Sequence, residues 1–459
     1  MKQLCLIEVP GLTRRMVEEH APKLLAASKQ GQLATLQPDL PALTISGHAS
    51  LLTGTPASQH GIVGNGWFDR EENVVKFWPQ SERLVHGETI WEAARERHNG
   101  FRTLKHFWWP GMASSADIHT NVRPVYFADG RKAPDIYANQ PGLAKKIQDR
   151  FGTFPMFQFW GPGVNIRSSQ WIADTAKFLF DEFQPDLSLV YLPHLDYKQQ
   201  TVGPDDPSMA DEVRQLDDVA YDLIEHLQRQ SVEFVLVSSY HMNQVNLPIE
   251  INRVLRRGGW LKVSRNAAGE LIDYGMSQAF AVADHQIAHV YVADSGVKSE
   301  VATRLNELDG VDRVLDADQQ TELDLAHERA GDLVVLAKPN AWFTYYYWED
   351  EALAPDFART IAIHAKPGYD PCEMLFDERL RFPKLAVATR LLRKRLGMRY
   401  TMDVISLNPN LIRGSHGLQP TNEKDAPVWL SSAKFADGND QRIPITEVKS
   451  LILRAIFDD

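Results

Sequence analysis

Residues 184–200 read QPDLSLVYLPHLDYKQQ. Within them Leu187–Leu192 is a short apolar run whose residues suit a pleated strand and whose length is too small for a helix. A helical pattern lies just before it, around Trp171–Phe183, and His194 and Asp196 follow at once. The same order recurs on either side. Leu4–Ile7 is an apolar run that ends at Glu8. Glu233–Ser238 (EFVLVS) follows Asp211–Gln230, where Val213, Leu216, Val219, Leu223, Ile224 and Leu227 recur at helical spacing. His289–Val292 and Leu333–Leu336 extend the series. Short β-rich runs alternating with amphipathic helices predict βαβ units, a mainly parallel central sheet with helices on both faces.

The chain has 459 residues, enough to bury a large core without disulfides or structural metal. Its 49 basic and 60 acidic residues leave a net charge of −11, which argues against a general nucleic-acid or membrane-surface binder. Small anionic substrates stay open, because a metal can set the local sign of the field. Only Cys5 and Cys372 occur, so a disulfide framework and a cysteine zinc knuckle are both excluded. The apolar start is too short for a signal segment or a membrane span, and the expected compartment is the cytoplasm. Residues 67–160, rich in Trp and Phe with weak periodicity, read as an inserted cap over a core formed by 1–66 and 161–376. Residues 377–459 read as an extension packed on that core. The basic run within it reads as a solvated helix face.

In an open α/β sheet, ligands sit at the carboxyl ends of the strands. Glu8, His194 with Asp196, Ser239-Tyr240-His241 and His364 all follow apolar runs, a pattern that suits a divalent-metal site. Singly, each has a plainer explanation as a cap or a hydrogen-bonded core residue. The segment Pro41–Trp67, PALTISGHASLLTGTPASQHGIVGNGW, places Thr44 before a small-residue stretch that can open a helix. A hydroxyl there is placed to attack phosphorus, with backbone N–H groups at hand for the oxygens. Thr44 as a simple N-cap is the other possibility.

PALTISGHASLLTG followed by HGIVGN resembles the nucleophile region of the nucleotide pyrophosphatase/phosphodiesterase branch of the alkaline phosphatase superfamily. The resemblance implies that Thr44 is the nucleophile and that Asn65 is the phosphate-binding Asn. YLPHLDYKQQTVGP resembles the segment in which an Asp and a His four residues later bind the first metal. APDFARTIAIHAKPGYDPCEMLF resembles the final ligand region, with His364 as the ligand. Together the motifs run from residue 4 to about 376. They imply an alkaline-phosphatase-like sandwich and a metal-dependent hydrolase of a phosphodiester or related phosphorus compound.

The match is uneven at the metal ligands. Glu8 stands for the N-terminal Asp, and Asp196 and His364 are kept. Gln200 stands where the family has a His, a much weaker zinc ligand. The run that supplies two second-metal ligands reads Ser238-Ser239-Tyr240-His241-Met242, with Ser239 and Tyr240 in the ligand places and His241 one place late. Three outcomes stay open. Neighbours substitute (His241, His194, His285 or His289), or one metal suffices, or the protein is a non-catalytic binder with a degraded metal site. The expected loading is zinc at the Asp196/His364 position, with Gln200 or His194 as a third donor. The Glu8/Thr44 position, all oxygen, should be weak or empty, holding Mg or Mn if filled. The expected partner is a small phosphorus-containing substrate.

Overall fold

The computed structural model describes residues 1–128, 132–434 and 442–458, with residue 30 described by its backbone alone. Strands β1 (Leu4–Glu8), β2 (Gln32–Gln37), β3 (Thr103–His106), β4 (Ile118–Val122), β5 (Ile136–Ala138), β6 (Leu187–Tyr191), β7 (Glu233–Val237), β8 (Val428–Ser431) and β9 (Arg442–Pro444) form one sheet. Their order across it is β9-β2-β8-β7-β1-β6-β3-β4-β5. The centre, from β7 to β4, is parallel throughout. Antiparallel pairs occur where β8 meets β7 and β2, and at the β5 edge.

Alternation along β1 shows both faces covered, as a buried parallel strand requires. Cys5 and Ile7 enter one apolar cluster with Trp171, Ile172 and Leu179 of helix α2 (Arg167–Phe183). The same cluster holds Leu216, Leu223 and Leu227 of helix α4 (Met209–Gln228). Leu4 and Leu6 enter the opposite cluster, with Ile90, Trp91, Leu451 and Ile452. The three-layer expectation therefore holds, with a large, mainly parallel central sheet.

Its boundaries need correction in three places. First, His289–Val292 and Leu333–Leu336 do not join the central sheet. They lie in a separate four-stranded antiparallel sheet made by Ala279–Asp284, Ile287–Val292, Leu333–Ala337 and Val311–Leu315. An apolar run of this length serves either kind of buried sheet, so periodicity does not separate them. Second, residues 67–160 are not only a cap, since β3, β4 and β5 extend the central sheet. Strand β3 reads Thr-Leu-Lys-His, with two ionisable residues inside the fold. Lys105 pairs with Glu82, and His106 bonds Thr120, Thr175 and the Ile172 carbonyl. Third, residues 377–459 do more than pack on the core, because β8 is inserted between β2 and β7.

Candidate active site

The central strands end level with one another: Glu8 is in register with Tyr191 of β6 and Val237 of β7. Three segments leave the sheet at this edge. Glu8 ends β1, Asp196 and Gln200 lie on helix α3 (His194–Val202) after β6, and Ser238–His241 follows β7. A fourth segment, helix α1 (Thr44–Thr53), is buried along its whole length and points its first residue at the same place. Thr44 is its first helical residue and Leu43 is the N-cap, so Thr44 is not the capping residue. Close approach of α1 to the β7 loop needs Gly47. A Cβ there would stand 2.7 Å from Ser239 Cβ. Gly47→Ala should therefore cost about 1–3 kcal/mol, read by urea unfolding, and a change under about 0.5 kcal/mol would refute the close contact.

Thr44 Oγ1 lies 3.0 Å from the Tyr240 hydroxyl. The backbone N–H of Ile45 donates to Asn65 Oδ1 at 3.1 Å. Asn65 is in turn held by Asp284, which accepts from its backbone N–H at 2.7 Å and from Nδ2 at 3.2 Å. Burial pushes the Asp284 carboxyl up to about 7. Glu8 accepts from the Ser239 N–H at 3.1 Å and from Ser239 Oγ at 2.6 Å. Its other oxygen faces His48 Nε2 at 3.5 Å. His48 Nδ1 accepts from the Trp109 N–H, which fixes the ring hydrogen on Nε2, toward Glu8.

Asp196 Oδ2 accepts from Gln200 Nε2 at 3.0 Å, and Gln200 Oε1 accepts from the Tyr369 hydroxyl at 2.9 Å. Burial raises the Asp196 carboxyl to about 7, against the opposing pull of Gln200 and Tyr240. Among the described residues Asp196 Oδ1 has no hydrogen-bond partner, nor does His416 Nε2, which lies 3.7 Å from it. His416 Nδ1 lies 2.8 Å from the Ala42 carbonyl, so it carries the ring hydrogen and leaves Nε2 bare. Burial holds this imidazole neutral, down to about 3. Its ring stacks on Tyr240 at 3.8 Å and 5°, and the His285 ring lies 3.8 Å away.

The structure thus gathers Glu8, Thr44, Asn65, Asp196 and Gln200 and corrects the histidines. The imidazole set against Asp196 is His416, not His364. His364 bonds the Phe77 carbonyl at 3.1 Å and packs edge-on to Tyr126, farther along the cavity wall. His241 does not replace Tyr240 beside Thr44; its Nε2 pairs with Asn243 at 3.2 Å. His194 pairs with Glu212, and His289 bonds the Val63 carbonyl, so neither stands in as a ligand. His416, Tyr369 and Asp284 are the site residues that sequence reasoning missed. For His416 one signal existed, the small-residue setting Gly414-Ser415-His416-Gly417, which matches Ser46-Gly47-His48 in kind.

The donor set does not fit a pair of metal ions. Glu8 is engaged by Ser239 and His48, Gln200 by Asp196 and Tyr369, and the Tyr240 phenol stands at Thr44 where an imidazole was required. Among the described residues no group of three or more His, Cys, Asp or Glu is placed to hold a cation. The Asp196/His364 pairing expected to hold zinc is not formed, since the imidazole beside Asp196 is His416, and at the Glu8/Thr44 position the Glu8 carboxylate is engaged by Ser239 and His48.

Thr44, Asp196, Tyr191, Tyr369 and His285 close the buried end of a cavity of about 1150 Å³. Trp78, Trp109, Phe159 and Trp160 form aromatic walls, and Arg393 and Arg399 lie at the exposed end. A cavity this large holds a ligand well beyond inorganic phosphate, and its aromatic walls suit an apolar or ring-bearing substituent.

Comparison with known proteins agrees with this architecture. The type I phosphodiesterase / nucleotide pyrophosphatase family matches residues 4–370. An uncharacterized pyrophosphatase/phosphodiesterase of Schizosaccharomyces pombe is 28% identical over 219 residues, 46% of this chain and 38% of that protein. Ectonucleotide pyrophosphatase/phosphodiesterase 2 of Saccharomyces cerevisiae is 23% identical over 224 residues, 46% of this chain and 39% of that one. The aligned part thus spans under two-fifths of these curated relatives. Murine ectonucleotide pyrophosphatase/phosphodiesterase 5 superposes with a TM-score of 0.60 at 16% identity, covering 100% of this chain and 95% of that one. Its inactive form has been solved with AMP. Phosphonoacetate hydrolase of Sinorhizobium meliloti, solved with phosphonoformate, gives 0.61 at 14% identity, covering 99% and 96%. With the family matched over most of its length, this chain belongs to the type I phosphodiesterase / nucleotide pyrophosphatase family.

Proposed function

We propose that this chain is a phosphoric-ester hydrolase that attacks a small phosphodiester or related phosphorus compound with the Thr44 hydroxyl. The observation that carries the proposal is the placement of Thr44. It is the first residue of a fully buried ten-residue helix, at the closed end of a large cavity, with its hydroxyl held by Tyr240. A helix N-terminus favours the negative charge of a phosphoryl group. Asn65 fixes the first turn of that helix through the Ile45 N–H, and Asp284 fixes Asn65.

In the first half-reaction the bond from Thr44 Oγ1 to phosphorus forms as the bond to the leaving oxygen breaks, and the proton lost from Oγ1 ends on the leaving group. Water then hydrolyses the phosphoryl-threonine ester, which for a diester substrate still carries the second substituent, restoring the Thr44 hydroxyl and releasing a phosphomonoester. Divalent cations serve this family generally. No step here is assigned to one, because Tyr240, Ser239 and Gln200 replace the side chains that would hold a pair.

The same three replacements favour a second reading, a ligand-binding member of the family without turnover. One experiment separates the two. Purified protein is mixed with bis(p-nitrophenyl) phosphate, quenched in acid and digested, and the Thr44 peptide is examined by mass spectrometry. Nitrophenol release with a Thr44 peptide carrying the p-nitrophenyl phosphoryl group supports the hydrolase. Ligand-induced thermal stabilisation with no nitrophenol released under any added divalent cation supports the binder.

A further inference from the structure

The net charge of −11 conceals a local reversal. From Arg379 to Met402 the chain has eight basic residues and no acidic one. Helix α5 (Pro383–Arg395) runs through this stretch, and none of its residues is fully buried. Six of the thirteen exposed large apolar residues among those described fall between positions 382 and 398.

Their placement on the helix is ordered. Pro383, Val387, Arg390 and Lys394 recur at helical spacing and are half-buried against the protein. Leu385, Leu392 and Leu396 share the opposite, outward stripe and are 60%, 55% and 66% exposed, with Phe382 beside them at 61%. Lys384 and Arg395 flank that stripe on one side and Arg393 on the other. Arg390 is paired with Asp403 on the inner face. Lys384, Arg393 and Arg395 have no carboxylate partner among the described residues.

A helix that merely rests on a soluble fold turns its leucines inward and its charges outward. Here the leucines point away from the protein, with Lys384 and Arg395 on one side of them and Arg393 on the other. That arrangement suits the plane of a lipid surface, where apolar side chains enter the acyl boundary and Lys and Arg stems reach back to anionic headgroups. We propose that this face of α5 docks on an anionic lipid bilayer. Leu391, Arg393 and Lys394 also line the cavity that ends at Thr44, so docking would turn the cavity mouth toward the headgroups. Such contact is lateral, and among the described residues no helix is long and apolar enough to cross a membrane.

The test is co-sedimentation of the whole protein with vesicles of phosphatidylcholine, with and without about 30% phosphatidylserine, at low and high salt. The expected result is a partition coefficient about tenfold or more higher on the anionic vesicles, lost at high salt. Leu392→Asp and Arg393→Glu/Arg395→Glu should each lower it by a similar factor. Their melting temperatures should stay at the parent value, because the altered side chains touch solvent. Equal sedimentation with both vesicle types, or variants that bind as well as the parent, would overturn the proposal. So would a vesicle-free dimer that Leu392→Asp dissociates, since the stripe would then be the seat of a second copy of the chain.

Discussion

Thr44→Ala is expected to lower the turnover of a phosphodiester by on the order of 10³-fold or more while leaving the fold intact. The two effects separate because of where Thr44 sits. It is not the N-cap of its helix, so its removal takes no cap away, and alanine is the better helix former. The stability lost is about one hydrogen bond, that to Tyr240, on the order of 1 kcal/mol. Activity is a different matter, since no second hydroxyl of α1 takes its place: Ser46 Oγ donates to the Pro41 carbonyl, Ser50 Oγ pairs with His60, and Thr53 Oγ1 donates to the Ala49 carbonyl. Thr44→Ser, which keeps a hydroxyl on the same carbon, should retain most of the rate. The alanine variant should still be stabilised by a non-hydrolysable phosphonate, because the cavity walls are unchanged. Loss of less than about tenfold in kcat would mean that water, not Thr44, attacks phosphorus.

What could be read from the sequence followed from how chemistry is distributed along the chain. Leu4–Glu8, Leu187–Tyr191 and Glu233–Val237 are strands whose apolar runs are buried on both faces, and each stands out against polar flanks. Thr44 and Asn65 lie in one continuous motif, so short-range order was enough to find them. Strand β3 was hidden because its buried polar residues are satisfied by partners far away in sequence, Lys105 by Glu82 and His106 by Thr175. A periodicity search sees the charge and not the partner. His416 was hidden for a related reason. It reaches the site only because the segment from Gly414 to His416 folds back over Gln200 and His285, through the Arg413 N–H to the Gln200 carbonyl and the Gln286 N–H to the His416 carbonyl. Apart from the small-residue setting of His416, nothing local in residues 377–459 announces that return. In the sequence Tyr240 reads as a missing ligand, and its stacking on His416 and its bond to Thr44 join segments far apart in the chain.

The segment around His364 shows how a residue set that suggests metal binding can serve stability instead, and it carries the largest expected loss of stability. Lys366, two residues on, is buried with its ammonium 2.7 Å from Asp370 and 2.8 Å from Glu373, and all three side chains are at most 2% exposed. Burial works to lower the Lys366 pKa, but the two carboxylates outweigh it and hold the ammonium above its usual range. The remaining oxygens are satisfied as well. Glu373 accepts from Trp160 Nε1 at 2.5 Å and from the Ala362 N–H at 2.9 Å, and Asp370 accepts from the Cys372 N–H at 3.1 Å. Lys366→Met keeps the stem and removes the charge, leaving two carboxylates facing each other out of water. The expected cost is about 3–5 kcal/mol in urea unfolding, the range for breaking one side of a buried ion pair. Adding Asp370→Asn and Glu373→Gln should restore much of it, because no uncompensated charge then remains. Trp160 and Tyr369 line both this cluster and the cavity, so the single variant should also weaken phosphonate binding, and the triple variant should recover it. A loss under about 1 kcal/mol for Lys366→Met would mean that water reaches the cluster and that its ions are not held apart from solvent.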